Sequence, residues 1–342
     1  PETKQTSSME ESLNVIDFCS TAKKFVKQMR KKAKVNAVVG LTHLSMTQDK
    51  QLAKCADFDL ILGGHEHTLL QSSSNGTPIF KMTADAREMG KFNLNFNAST
   101  KRLESLDWEI IPVTDQIEDA KEFAWVFEKY RPLLEQLAVP VGATSVELDA
   151  LSYSSRTKET NIGNFIADSY RNAVGADIGF VNGGSIRADL TYNPGVLTKR
   201  DVLSILPFNN AIVKVEITGA LLKEILEHGV ARSGAGEDNE PGRFPQVSGI
   251  SFSFDTTKPA GNRIIELKVG GIPVEMNKTY TLATSDFLVS KGGDGYTMFS
   301  KGKLLTVGSE VPKDSDLFEK AIKESPNSTI SPKLENRIVK IK

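Results

Sequence analysis

Of 342 residues only two are cysteine, Cys19 and Cys55, and only four are histidine. Two cysteines exclude a disulfide-framework fold, while leaving one bridge open and the redox compartment undecided. No stretch approaches the roughly 20 apolar residues that a membrane-spanning helix needs. The opening PETKQTSSMEES has neither a charged nor an apolar signal region, and a start at Pro1 points to processing or truncation. Charge of one sign is also missing: 42 Lys and Arg against 43 Asp and Glu give a net −1. That balance excludes the basic surface that polymeric nucleic acid or an anionic membrane would demand. What is present is an ordinary globular composition, 39% hydrophobic and 25% charged, which excludes fibres and disorder. The length predicts two domains. Asn75, Asn97, Asn277 and Asn327 open sequons that would permit glycosylation in a secretory pathway.

Phe18, Ala22, Phe25, Val26 and Met29 fall on one helical face, and the basic run from Arg30 to Lys34 suits the end of that helix. Val35 to Leu44 and Phe58 to Leu62 read as buried strands, so the first region is predicted to be an α/β layer with parallel pairing. Between Thr114 and Leu137 a strongly helical stretch is the candidate connector. Beyond it, Asn161 to Val174 is an amphipathic helix with Gly175 placed to end it. ADIGFV, TKRDVLSIL, AIVKVEI and ALLKEILEHG then alternate strand and helix, a loop follows at 233–246, and late strands include TYTLATSDFLV. The fold class is α/β, or α+β taken as a whole.

Histidine chemistry has few places to sit. GLTHL puts His43 at the carboxyl end of one strand, and LILGGHEH puts His65 and His67 at the end of another. Ligands of parallel sheets collect at such ends. In an extended backbone His65 and His67 would point the same way and Glu66 aside, while Gly63 and Gly64 allow a sharp turn. Neutral imidazoles suit zinc, iron, nickel or copper. His228, in ILEHGV, sits where the helix dipole favours it and is assigned no chemistry.

In the second region Gly183 and Gly184 follow strand-like FV and permit close backbone approach, with Arg187 at the end of that turn and Arg156 ahead of a helix. Planar guanidinium groups suit phosphate or ribose oxygens. Phe208 follows Pro207 at a helix end, and Phe287 ends a strand before SKGGDGY; two aromatics so placed can sandwich a planar base.

LTHL followed by LGGHEH resembles the later metal motifs of calcineurin-like metallophosphoesterases of the 5'-nucleotidase subgroup. From Arg156 onward, RTKETNIGNFIAD, VNGGSIRADL, LPFNN and GGDGY are similar, in order, to the C-terminal domain of that family. The resemblance implies the second half of an αββα-type metal domain at 1–113, a linker helix at 114–140 and a mixed α/β substrate domain at 141–342. It implies two divalent ions such as Zn, Mn or Co in the complete protein, with His43 and His65 on one and His67 on the other. The family's Asp-x-His, bridging Asp and Gly-Asn-His-Asp/Glu, whose His assists catalysis, are then expected upstream of Pro1; GNFIAD at 163–168 is no substitute.

The resemblance further implies that Arg156, Asn182, Gly184 and Arg187 contact a nucleotide, that Phe208 and Phe287 stack on its base, and that Asp294 accepts ribose hydroxyls. The interval from Phe287 to Asp294 is one residue longer than in the family, so either the loop bulges or Leu288 shares the aromatic's place. The implied activity is hydrolysis of nucleoside 5'-monophosphates, weak or lacking in this chain alone. Alternatives are a 2',3'-cyclic-nucleotide phosphodiesterase, a UDP-sugar hydrolase and, from another class, a non-catalytic nucleoside-binding module. A small nucleotide or nucleoside is the implied partner, a homodimer stays open, and the implied location is periplasmic, secreted or cell-surface.

Overall fold

The computed structural model describes residues 12–234, 242–306 and 311–342. Residues divide between Trp125 and Val126 into two compact units.

In the N-terminal unit, helix α1 (Phe18–Gln28) starts where the Asp17 carboxylate accepts a hydrogen bond from the Ser20 amide, and it runs on into a wider turn at Met29–Ala33. Helix α2 (Met46–Cys55) opens with a reciprocal cap between Ser45 and Gln48. Strands β1 (Val39–Thr42), β2 (Leu60–Gly63), β3 (Leu70–Ser74) and β4 (Thr77–Lys81) form a sheet in the order β1-β2-β4-β3. β1, β2 and β4 are parallel. β3 turns back onto β4 through Asn75-Gly76, both with positive φ, as a tight hairpin requires. Strands β5 (Glu88–Phe96) and β6 (Leu103–Pro112) make a separate antiparallel ribbon. The core is Met46, Leu52, Ala53, Ile61 and Ile79, closed by Phe18 and Ala22 of α1. Cys19 and Cys55 are bonded, joining the start of α1 to the end of α2.

The buried strand expected over Val35–Leu44 is shorter and only half buried. β1 is the edge of its sheet, so Gly40 packs on Phe58 and Ile61 while Leu41, at 89% exposure, faces out. The helix expected from Thr114 is shorter too: residues 114–120 are a turn and irregular chain, and helix α3 is confined to Ala124–Leu137, with Pro132 inside it and no buried residue. The division between the units falls in this helix.

The C-terminal unit follows the expected alternation. After α4 (Ser152–Thr157), helix α5 (Asn161–Val174) starts at Thr160, whose hydroxyl accepts from the Gly163 amide, and ends at left-handed Gly175. Strand β7 (Ile178–Asn182), α6 (Lys199–Ile205), β8 (Ile212–Thr218), α7 (Gly219–Val230), β9 (Pro245–Ser248), β10 (Thr279–Ser285) and α8 (Asp286–Lys291) come next. The main sheet runs β9-β7-β10-β8 and then Lys303–Leu304. β7 and β10 are parallel, and the other neighbours are antiparallel. Ile178, Phe180, Val215, Leu222, Leu226 and Leu282 form one side of the core; Ile162, Ile166, Tyr170, Val181 and Ala283 form the other. Of the loop expected at 233–246, residues 235–241 lie outside the described residues, and Pro245 and Gln246 belong to β9.

Because Cys19 and Cys55 are 36 residues apart, the bond should contribute about 3–4 kcal/mol by restricting the unfolded chain. Both tryptophans, Trp108 and Trp125, lie in the N-terminal unit. Cys19→Ser/Cys55→Ser should therefore shift the denaturant midpoint seen by tryptophan fluorescence to lower concentration. An unchanged midpoint would show that the bond carries no stability.

Candidate functional site

Close backbone approach organises the carboxyl end of β7. A Cβ at Gly183 would lie 2.1 Å from the Ser155 carbonyl oxygen and 3.2 Å from the Arg156 Cα, so the glycine lets the end of α4 rest on the turn and brings Arg156 to it. At Gly184 a Cβ would meet the Gly242 Cα at 2.8 Å, and the Gly184 amide donates to the Gly242 carbonyl at 2.7 Å. Asn182, buried at the strand end, donates from Nδ2 to Asp294 Oδ2 at 2.6 Å and accepts from the Ser185 hydroxyl at 2.6 Å. Asp294 itself holds a left-handed backbone, φ 52, between glycines. Arg187 lies with its guanidinium carbon 5.8 Å from the centre of the Phe208 ring, which is 54% exposed. A planar cation and an open aromatic face thus stand side by side.

Phe287 differs from its expected setting. β10 ends at Ser285, and Phe287 lies in the first turn of α8, beside Asp286, whose carboxylate accepts from the Ala211 amide. Its ring covers Gly293, where a Cβ would fall 2.3 Å from the ring, while Leu288 is wholly buried in the core. Leu288 is occupied with packing.

Two supporting residues escaped the sequence reading. Gln246, fully buried on β9, accepts from the Thr160 amide at 3.0 Å and donates to the carbonyls of Ser155 at 3.0 Å and Lys158 at 2.7 Å. It therefore closes the loop that carries Arg156. The only signal for it in sequence was a polar residue just before a strand-like run. His228, assigned no role from its place at a helix end, has Nε2 2.9 Å from the Asp294 carbonyl oxygen, to which it can donate, and its ring meets Tyr296 edge-on. Asp168 of GNFIAD pairs with both terminal nitrogens of Arg337 at 2.9 Å and so anchors the C-terminal segment.

In the N-terminal unit the structure brings His43 and His65 together, their rings 5.3 Å apart and edge-on. A Cβ at Gly64 would lie 3.5 Å from His43 Nδ1. His65 (φ 85) and His67 (φ 57) are left-handed, so the alternation expected of an extended backbone does not hold, and Glu66 turns inward to Lys81. Among the described residues no set of three or more His, Cys, Asp or Glu is placed to hold a metal. His43 and His65 are chemically suited to part of the shell of one divalent ion. They do not suit two adjacent ions, which need a carboxylate or hydroxide between them; the nearby Asp49 and Glu66 are both paired with Lys81.

Burial holds His228 below its ordinary value of 6.5; the hydrogen bond to Asp294 works against this, and the Arg243 charge adds to it. The unfolded chain therefore binds a proton that the folded unit resists, and stability falls as pH drops through about 6.5 toward the lower folded value. The unfolding temperature of the C-terminal unit should fall further between about pH 7.5 and pH 5.5 than that of His228→Gln. Equal losses in the two proteins would remove His228 from this account.

Residues 140–301 match the family model for the 5'-nucleotidase, C-terminal domain. Over 99% of its length the chain is 33% identical to the trifunctional nucleotide phosphoesterase protein YfkN of Bacillus subtilis, of which it spans only 24%. A snake venom 5'-nucleotidase of Macrovipera lebetinus is 30% identical over 77% of the chain and 74% of that enzyme. The crystal structure of a 5'-nucleotidase precursor from Thermus thermophilus superposes with a TM-score of 0.87 at 26% identity, covering 99% of this chain and 70% of that one. Likeness in sequence and in fold over most of the same length leaves one conclusion: the chain belongs to the 5'-nucleotidase family.

Proposed function

We propose that this chain carries the substrate-binding part of an enzyme that hydrolyses nucleoside 5'-monophosphates, water adding across the phosphoester to release nucleoside and phosphate. The observation that supports it most is the Asn182–Asp294 pair at the mouth of the β7 turn, inside the region matched to the family. Asn182 orients a carboxylate suited to accept sugar hydroxyls. Arg187 and Arg156 supply cations for phosphate or ribose oxygens. Phe208, open on its outer side, supplies a stacking face, and Phe287, backed by Gly293, supplies the second.

When bound, a divalent ion would neutralise phosphate charge and lower the pKa of water, and His43, His65 and His67 are the residues of this chain proposed to contribute to holding it. The imidazole-only set supports little phosphatase activity and at most one weak metal site in this chain alone. It also favours the second reading, a nucleoside-binding module without turnover. A secreted, periplasmic or cell-surface setting is supported by the venom relative and by the Cys19–Cys55 bond.

Titration with adenosine and with AMP separates the readings: binding without turnover supports the module, and turnover with two bound metals overturns the weak-site proposal. Phe208→Ala should weaken adenosine binding by roughly 5- to 100-fold, the worth of one aromatic face, with unchanged circular dichroism. Normal binding by that variant would dismiss the stacking role.

A further inference from the structure

Lys81 ends β4 directly opposite Gly63 of β2 and is 1% exposed. Its ammonium donates to the Leu44 carbonyl at 2.5 Å, the Gly64 carbonyl at 3.0 Å and Glu66 Oε2 at 2.6 Å. An ammonium has three protons, and these three acceptors use them. Asp49, also fully buried, faces the same nitrogen at 2.9 Å as a charge partner. Glu66 uses its other oxygen to accept from the Met46 amide at 2.5 Å.

The acceptors are not scattered. Leu44 follows His43 in the chain, and Gly64 and Glu66 flank His65. One side chain from a third strand therefore grips the residues next to both imidazoles. The grip depends on a bare backbone at Gly63, where a Cβ would lie 2.9 Å from Asp49 Oδ2 and 3.2 Å from Lys81 Cε. Burying such an ion pair is poor value as a stabiliser, because desolvation offsets most of the attraction. The cluster holds one cation and two carboxylates, a formal excess of one negative charge that favours an approaching dication. Lys81 acts on the backbone of the two turns, through the carbonyls of Leu44 and Gly64, as outer partners elsewhere fix metal-bound histidines through their rings.

We propose that Lys81, with Asp49 and Glu66, is a positioning residue that sets the spacing of the two histidine turns for a divalent cation. This rests on the reading of His43 and His65 as ligands, and the test separates the two. Cobalt alone is titrated into the full chain and followed by its visible d–d bands. Wild type should bind cobalt, and His43→Ala and His65→Ala should abolish the bands. Lys81→Gln/Asp49→Asn, which removes both members of the buried pair, should bind cobalt about 10- to 100-fold more weakly and with altered bands, while its circular dichroism is unchanged.

Wild-type affinity and spectrum in the double variant, with binding lost in the histidine variants, would overturn the positioning role and leave the ligands standing. Binding that survives both histidine substitutions, or no binding by wild type, would overturn the ligand reading and the proposal with it. Where the double variant fails to fold, Glu66→Gln, which keeps the Lys81–Asp49 pair, decides the matter: weaker cobalt binding supports the role, and unchanged binding overturns it.

Discussion

Backbone crossings that leave no room for a side chain hold the C-terminal unit's site together. At Gly183 the end of α4 lies on the turn after β7, and at Gly184 the same turn meets Gly242. The polar groups proposed to touch a nucleotide gather around that crossing. Arg156 arrives with α4, Asn182 is the last residue before the turn, and Asp294 lies where Asn182 can reach it. Any larger residue at 183 would separate α4 from β7, since the obstacle is backbone carbonyl and not a flexible side chain.

Both units use buried polar side chains to hold turns, but with different chemistry. Gln246 is neutral and has its amide satisfied by backbone on either side of Arg156. Its burial costs little once those bonds are made. Lys81 is charged and gathers carbonyls and carboxylates from two turns. The neutral amide holds its turn without adding charge, whereas the lysine holds its turns together with two carboxylates.

Periodicity made α5 legible, because Ile162 and Ile166 mark its buried face and Gly175 its end. The parallel β1–β2 pair was readable from two apolar runs separated by a helix-compatible segment. Edge position was not: the apolar run containing Leu41 looks like a buried strand until its neighbours are known. The glycine turns and strand-end histidines stood out by residue type, whereas Gln246 and Lys81 did not, since their partners lie 88 and 37 residues away in the chain. Phe287 was misplaced because the apolar run continues past the strand, and the Asp286 bond to Ala211 at its end spans 75 residues.

The run Gly292-Gly293-Asp294-Gly295 has left-handed backbone at three of its four positions, and only one of those carries a side chain. Such a conformation costs an ordinary residue about 1–2 kcal/mol, less for aspartate, whose short polar group tolerates it. The fold meets that cost before any sugar arrives. Under the proposed role of Asp294, its carboxylate is set in place by the backbone and by Asn182, and discrimination between a ribose and a sugar lacking those hydroxyls would begin at first encounter.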